Sequence, residues 1–412
     1  MSDSPANGNV QQAEGDVAAL RAVLKDLGIA AVLEPVPRRG ASYGNLAVLP
    51  DVRSPRIVIP TQPRKAARLA LQRFSADLSL KSKVQRFGAA LALAVMGSTP
   101  PLVKYQLTLK SSDEHNLLGH LAEIFSQEVL FSMSIGNERV NRKPVLQLFS
   151  RSGTCLGYAK IGTTALTSDL VRTEASALKE LNSKRWENLR VPELIHSGTW
   201  NGHELLIMGY LPTTIFTRQA TVEKLRISAQ DELQRTFATT VSPLGEQDWW
   251  KELCSSTEDL AVRFAPAIRL NENLKRINEH YGRHELQPGA SHGDWTAWNM
   301  AVHRSKLQVW DWERFSRGLP VGFDALHYAI HHQVSLTKVS KNSLLRGIKR
   351  SGVGDCATQL AYLAHLCGRY LQGLAQLQIT ATEDKAVALM ETIECILGDL
   401  AHANTKLTSM DE

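Results

Sequence analysis

The spacing of apolar positions changes character along the chain. At Asp16–Leu27 the residues Val17, Leu20, Val23, Leu24 and Leu27 recur every three or four positions, which predicts a helix. NLAVLP (45–50) and RIVIP (56–60) are short apolar runs of strand type. Pro63 opens a second helix with an apolar face of Ala67, Ala70, Leu71, Phe74 and Leu78. Arg64, Lys65, Arg68 and Arg73 fall mostly away from that face, so the helix is basic and amphipathic. Pro100-Pro101 breaks the pattern and marks a boundary. From 103 to 215 the texture is strand-rich, with VLFSMSI (129–135), VLQLFS (145–150), LGYAKIG (156–162) and HELLIMGYLP (203–212). Ser152-Gly153 lies where a hairpin turn is needed, and DLVRTEASALKEL (169–181) reads as a helix burying Leu170, Ala177, Leu178 and Leu181. After 215 the pattern is helical to the end, except for a strand-and-loop island at 288–316. Strands first and helices afterwards predict an α+β protein in two lobes.

Composition narrows the class. The 412 residues are 43% hydrophobic and 21% charged, which excludes a collagenous, disulfide-scaffold or wholly disordered chain. The longest apolar run, Phe87–Gly97, has 11 residues, short of the ~20 needed to cross a bilayer. No charged segment followed by an apolar one opens the chain, so no signal peptide is read. The five cysteines are scattered and never at CxxC spacing, the pattern of reduced thiols in a cytoplasmic protein.

The net charge of +6 is unevenly placed, since Arg53–Lys110 alone carries +10. Such a block is a solvated face, a docking surface for an anionic partner or the inner membrane surface, or a face packed on an acidic domain of the same chain. No nucleic-acid motif accompanies it. The expected organisation is a polar tail (1–15), a basic amino-terminal α/β domain (16–110), a β-rich lobe (111–212) and a helical lobe (213–412).

Chemistry concentrates in SHGDWTAWNMAVHRSKLQVWDWERF, residues 291–315. Asp294, Asn299 five residues later and Asp311 after an apolar strand form a phosphoryl-transfer set. One carboxylate orients a hydroxyl and takes its proton, while an amide oxygen and a second carboxylate supply hard oxygen ligands for Mg²⁺. His327 and His331 are one helical turn apart, but no third cysteine or carboxylate makes them a zinc site, and they read as packing or surface residues.

These segments resemble the aminoglycoside phosphotransferase/choline kinase family, relatives of the protein kinases. HGDWTAWN fits that family's HGDxxxxN motif, VWDWERF its apolar-apolar-Asp-Trp-Glu segment, and Phe323-Asp324-Ala325-Leu326 its Phe-Asp-Leu-Ala. The resemblance covers about residues 130–330. It implies a two-lobed, protein-kinase-like fold, with Mg-ATP as phosphoryl donor and Asp294 as the base. Asn299 and Asp311 would be magnesium ligands, and Asp324 would brace the catalytic loop from a helix start.

The same resemblance calls for a strand lysine and a helix glutamate, and Lys160 and Glu174 occupy those places. The bland readings are an edge-strand lysine and a surface acid. The phosphate cover would be the hairpin tip at 134–144, whose one glycine, Gly136, makes no GxGxxG loop. Met208 and Tyr210 would belong to the hinge that offers backbone groups to adenine. His292 orders the loop backbone in this family. Of the tryptophans crowding the site, Trp310 and Trp312 read as core, and Trp295 or Trp298 as facing substrate.

Charge bears on the acceptor. Residues 325–380 hold Asp355 as their sole acid against six bases, a net +5 that disfavours polycationic drugs and choline. A neutral or anionic small-molecule hydroxyl acceptor of sugar or glycan type fits better. The 13 residues from Asp311 to Asp324 leave no room for a long activation segment, which sets this reading above a protein or peptide kinase. The filled Asp/Asn/Asp set places it above a catalytically silent binding module.

Overall fold

The computed structural model describes residues 22–36, 45–50, 56–71, 105–109, 116–134, 143–212, 218–377 and 382–408, with Leu20, Gly88 and Val103. Gly136, the hairpin tip around it, the Pro100-Pro101 boundary and most of the basic stretch after Leu71 lie outside the described residues. The chain divides into two compact units, residues 1–185 with 191–215, and residues 186–190 with 216–412.

The first unit is built on one nine-stranded sheet. Its strands are β1 (Ala31–Pro35), β2 (Leu46–Leu49), β3 (Ile57–Pro60), β4 (Tyr105–Leu109), β5 (Val129–Ser134), β6 (Val145–Ser150), β7 (Cys155–Gly162), β9 (Leu194–Trp200) and β10 (His203–Met208). The order across the sheet is β1-β4-β2-β3-β5-β6-β7-β10-β9. Strands from the basic amino-terminal stretch and from the following β-rich stretch thus share a sheet, joined where Ile57 pairs Ser134 and Val58 pairs Met133.

Both faces of the sheet are covered, and the two-residue period of a strand sorts the side chains between them. Val129, Phe131 and Met133 of β5 enter one core with Leu46, Val48 and Val58. Leu130 enters the other, with Ala47, Ile59 and Phe149. The sequence-predicted basic helix forms as α1 (Arg64–Leu71), with Ala66, Ala67, Ala70 and Leu71 buried in that second core. Arg64, Lys65 and Arg68 are exposed. The Ser152-Gly153 turn is present, with Gly153 at φ 78° and its amide donating to the Ser150 carbonyl at 2.9 Å. Two helices complete the unit, α2 (Leu117–Phe125), capped by Asn116, and α3 (Ala165–Asn182), started by a Thr164–Thr167 capping box.

The second unit is mainly helical: α4 (Gln219–Thr236), α5 (Asp248–Arg263), α6 (Ala265–Tyr281), α7 (Phe323–Leu336), α8 (Lys341–Ser351), α9 (Cys356–Leu377) and α10 (Glu383–Thr408). Trp250, Leu270, Leu274, Leu326, Leu360, Leu363, Leu389 and Ile393 belong to its core. Between α6 and α7 lie short strands. β13 (Pro288–Ser291) pairs β16 (Ser316–Pro320), and β14 (Met300–His303) pairs β15 (Lys306–Val309). β8 (Leu189–Arg190) adds to β15 in parallel. β11 (Ser242–Pro243) and β12 (Glu285–Leu286) make a further small pair. The two inner pairings clamp the ends of the 291–300 loop.

Candidate functional site

The candidate chemistry falls in both units. In the sheet unit, Lys160 sits on β7 between β6 and β10, opposite Val145 and Leu206, so it is not an edge residue. Ala159 and Ile161 enter the core of one face, and the strand period sends Lys160 to the other. On α3 the buried positions Thr167, Val171, Glu174, Leu178 and Leu181 follow a four-three-four-three spacing, which places Glu174 on the apolar stripe. A buried charge needs a partner. Lys160 Nζ donates to Glu174 Oε1 at 2.7 Å and Oε2 at 2.6 Å, with the glutamate 0% and the lysine 7% exposed. The surface-acid reading of Glu174 is thereby removed.

Met208 ends β10 and is buried, while Tyr210 is half-buried with its ring 6.4 Å from that of Tyr158. Burial raises the Tyr210 phenol above its usual range, with a smaller contribution from Cys155. Gly157 has a definite reason to be glycine: a Cβ there would collide with the Met208 carbonyl oxygen.

In the helical unit the 291–300 loop is held by hydrogen bonds to its backbone. Asp324, in the first turn of α7 and 0% exposed, accepts from Ser291 Oγ at 2.7 Å, His292 N at 2.8 Å and Gly293 N at 3.2 Å. This is the bracing expected of it. His292, also 0% exposed, accepts the Asp294 amide at Nδ1 (3.2 Å) and donates from Nε2 to the Trp310 carbonyl (3.0 Å). Its ring is thus spent on ordering the loop. Gly293 takes φ 74°, and a Cβ there would collide with the Arg314 carbonyl.

This frame presents Asp294. Its Oδ2 accepts from Asn299 Nδ2 at 2.8 Å, and its Oδ1 accepts from His327 Nε2 at 3.1 Å. Since His327 donates from Nε2, its Nδ1 accepts the Tyr362 hydroxyl, 2.9 Å away. A chain from Tyr362 through His327 to Asp294 results. Burial would raise the Asp294 carboxyl, but the His327 hydrogen bond and the surrounding imidazoles outweigh it and hold the group well below the usual carboxylate range. His327 is itself lowered by burial, so the pair is an ionised aspartate on a neutral imidazole.

With its amide nitrogen given to Asp294, Asn299 has its amide oxygen left to offer a cation. Asp311 follows β15 in a left-handed conformation, φ 69°. An amide oxygen and a carboxylate are hard donors, a set that suits Mg²⁺.

Sequence reasoning assigned the tryptophans incompletely. Trp295 is 0% exposed, like Trp312, and both are core, with Trp312 Nε1 donating to the Val309 carbonyl at 2.9 Å. Trp298 is half-buried against His331, ring centroids 6.0 Å apart, and Trp310 is also half-buried. His327, read as packing, touches the candidate base. Its place just after Phe-Asp-Ala-Leu was the available signal. Tyr362 and Arg369, whose Nη1 donates to the Gly293 carbonyl at 2.9 Å, come from α9 and had none.

No protein-family model matches the chain, and no curated protein sequence does. Solved structures do. A thermostable mutant of aminoglycoside phosphotransferase APH(4)-Ia is 12% identical, with 69% of this chain and 99% of that one covered at a TM-score of 0.49. A putative fructosamine-3-kinase from Haemophilus somnus is 14% identical, with 68% and 96% covered at 0.39. The amicoumacin kinase hAmiN is 11% identical, with 66% and 88% covered at 0.40. All three scores lie below 0.5, and the functional reading rests on side-chain geometry instead. In the motifs HGDWTAWN, VWDWERF and Phe323-Asp324-Ala325-Leu326 this chain is similar to the aminoglycoside phosphotransferase/choline kinase family of protein-kinase-like folds.

Proposed function

We propose that the protein is a phosphotransferase that moves the γ-phosphoryl group of Mg-ATP to a hydroxyl of a small molecule, a neutral or anionic acceptor of sugar or glycan type. The observation that carries this is the Asp294 carboxylate. It is held ionised by His327 and Asn299 on a loop braced by Asp324, and its side chain is still 27% exposed. That is the state a base needs to orient an alcohol and accept its proton as the alcohol oxygen bonds to phosphorus and the bond to the β-phosphate oxygen breaks. Lys160, fixed by Glu174, is the proposed phosphate clamp, with Met208 and Tyr210 beside the adenine and Gly136 in the phosphate cover. Asn299 and Asp311 are the proposed magnesium ligands; the bound ion would neutralise charge on the phosphates.

The net +5 of residues 325–380 supports the choice of a neutral or anionic acceptor over a cationic one. The exposed Arg56, Arg64, Lys65 and Arg68 support an anionic partner or membrane surface for residues 53–110. The test of the central reading is ADP release from Mg-ATP by the full chain across a panel of sugars, sugar phosphates and aminoglycosides. Acceptor-dependent turnover that vanishes in Asp294→Asn supports it. Nucleotide binding with no turnover on any class of hydroxyl compound would count against it.

A further inference from the structure

Beneath the catalytic loop, wholly within the helical unit, lies a cavity of about 200 Å³. Its polar wall comprises Arg314, Arg369, His365, Tyr362, His327 and the Ser291/Ser316 pair, with Leu319, Phe323 and the Gly293 backbone completing it. One carboxylate, Asp324, also borders the cavity, and it is already engaged by Ser291 Oγ and the amides of His292 and Gly293. Among the described residues, no carboxylate lies within ion-pair distance of Arg314 or Arg369. The Arg369 guanidinium spends one N–H on the Gly293 carbonyl. Two cations of like sign are thus held near one another at the edge of a cavity; the ionised Asp294 offsets part of the Arg369 charge through space, but neither arginine meets a carboxylate at ion-pair distance. Burial and the Arg314 charge push Arg369 down to about 10, which still leaves it cationic near neutrality. His365 is pushed down to about 3 by burial and by the same two arginines, so it adds a neutral donor or acceptor and no charge.

Unpaired guanidiniums are costly in a low-dielectric site, and their planar forks match the oxygens of a phosphate or carboxylate. We propose that this cavity binds a phosphate-type oxyanion, held by Arg314 and Arg369 with the Ser316 hydroxyl as a further donor. The anion would neutralise the arginine pair. Through Arg369 it would also act on the Gly293 carbonyl, one residue from Asp294. Such an oxyanion is either free in solution or carried by the acceptor. The proposal does not depend on the phosphotransfer reading, because its test reads binding.

The test is thermal unfolding of the full chain in sodium phosphate against sodium chloride at matched pH and ionic strength. Phosphate in large excess over its dissociation constant is expected to raise the midpoint by a few degrees beyond chloride. Arg314→Gln and Arg369→Gln should each weaken that response at least tenfold. Lys160→Met/Glu174→Leu, which removes the buried pair as a unit, should keep it, since the nucleotide phosphates are assigned elsewhere. Arg314→Gln decides the matter if Arg369→Gln fails to fold. No advantage of phosphate over chloride, or a full response in Arg314→Gln, would overturn the proposal, as would its loss in Lys160→Met/Glu174→Leu alone. A hexose phosphate that stabilises more than an equal concentration of inorganic phosphate would assign the anion to the acceptor; equal shifts would assign it to free phosphate.

Discussion

The two units hold their functional carboxylates on opposite terms. In the sheet unit Glu174 is sealed from water and meets a full positive charge, with both oxygens on Lys160 Nζ. In the helical unit Asp294 keeps part of its surface and meets neutral donors, the His327 imidazole and the Asn299 amide. A sealed ion pair fixes geometry, and a change of charge on either partner costs the other a buried charge-assisted hydrogen bond. A carboxylate on neutral donors stays ionised yet can still accept a proton, because no adjacent full charge must be left unpaired. The contrast suits Glu174 to a rigid role and supports the proton transfer proposed for Asp294.

The largest effect should separate the two carboxylates by activity. Asp294→Asn is expected to lower turnover by ~10²–10⁴-fold, the usual worth of a general base, while nucleotide binding persists. Steady-state ADP release together with nucleotide titration checks it, and wild-type turnover in the variant would remove Asp294 from the reaction.

Stability should separate them in the reverse sense. Glu174→Gln removes the charge that meets Lys160 Nζ at both oxygens, and breaking such a buried pair costs about 3–5 kcal/mol. Urea unfolding should show that loss in each single variant and much of it recovered in Lys160→Met/Glu174→Leu. A double variant as unstable as the sum of its parents would mean that the pair is not the unit of stability here.

A smaller effect concerns pH. His365 packs on Trp249 and Phe323, ring centroids 5.9 and 5.8 Å away, and its folded pKa of about 3 lies far below its ordinary value. As pH falls below ~6.5 the unfolded chain takes up a proton that the folded chain refuses, so stability declines toward acid. The contribution is fully present above that ordinary value and is lost steadily down to about 3. His365→Gln should flatten the decline between pH 6 and 4 by up to ~1.4 kcal/mol per pH unit. An unchanged slope would show that His365 is protonated in the folded protein.

The smallest effect should come from the far end of the histidine chain. Tyr362→Phe removes a hydroxyl worth about 1 kcal/mol as a hydrogen bond and frees His327 to turn. A roughly fivefold fall in turnover is expected, with nucleotide affinity unchanged and the acid limb of the rate profile moved upward as Asp294 loses its oriented donor. A fall in stability without movement of that limb would make Tyr362 a packing residue.

Much of this was legible in the sequence because it is local. Strand alternation gave β5, β6 and β7, and helical spacing placed Ala177, Leu178 and Leu181 of α3 in the core, whereas Leu170 is only half-buried and Thr167, Val171 and Glu174 complete the stripe. Asp294, Asn299, Asp311 and Asp324 stand in one stretch of chain, so their order could be read before their geometry. Trp295 was less legible, since the 291–300 loop has no period and its burial depends on what packs beneath it.

By itself the sequence determined the mixed α+β class and the polar set of the loop, consequences of short-range pattern, while the lysine and glutamate positions came from the family resemblance. Tertiary structure decided the rest. It joined β1–β4 to the later strands in one sheet, because backbone pairing between distant segments leaves no periodic trace in either. It also brought Tyr362, His365 and Arg369 from α9 to a loop some seventy residues earlier, turning a packing histidine into the partner of Asp294 and leaving two arginines around one cavity. Contacts of that range depend on how helices stack, and helix stacking is set by the whole core, not by the residues that meet.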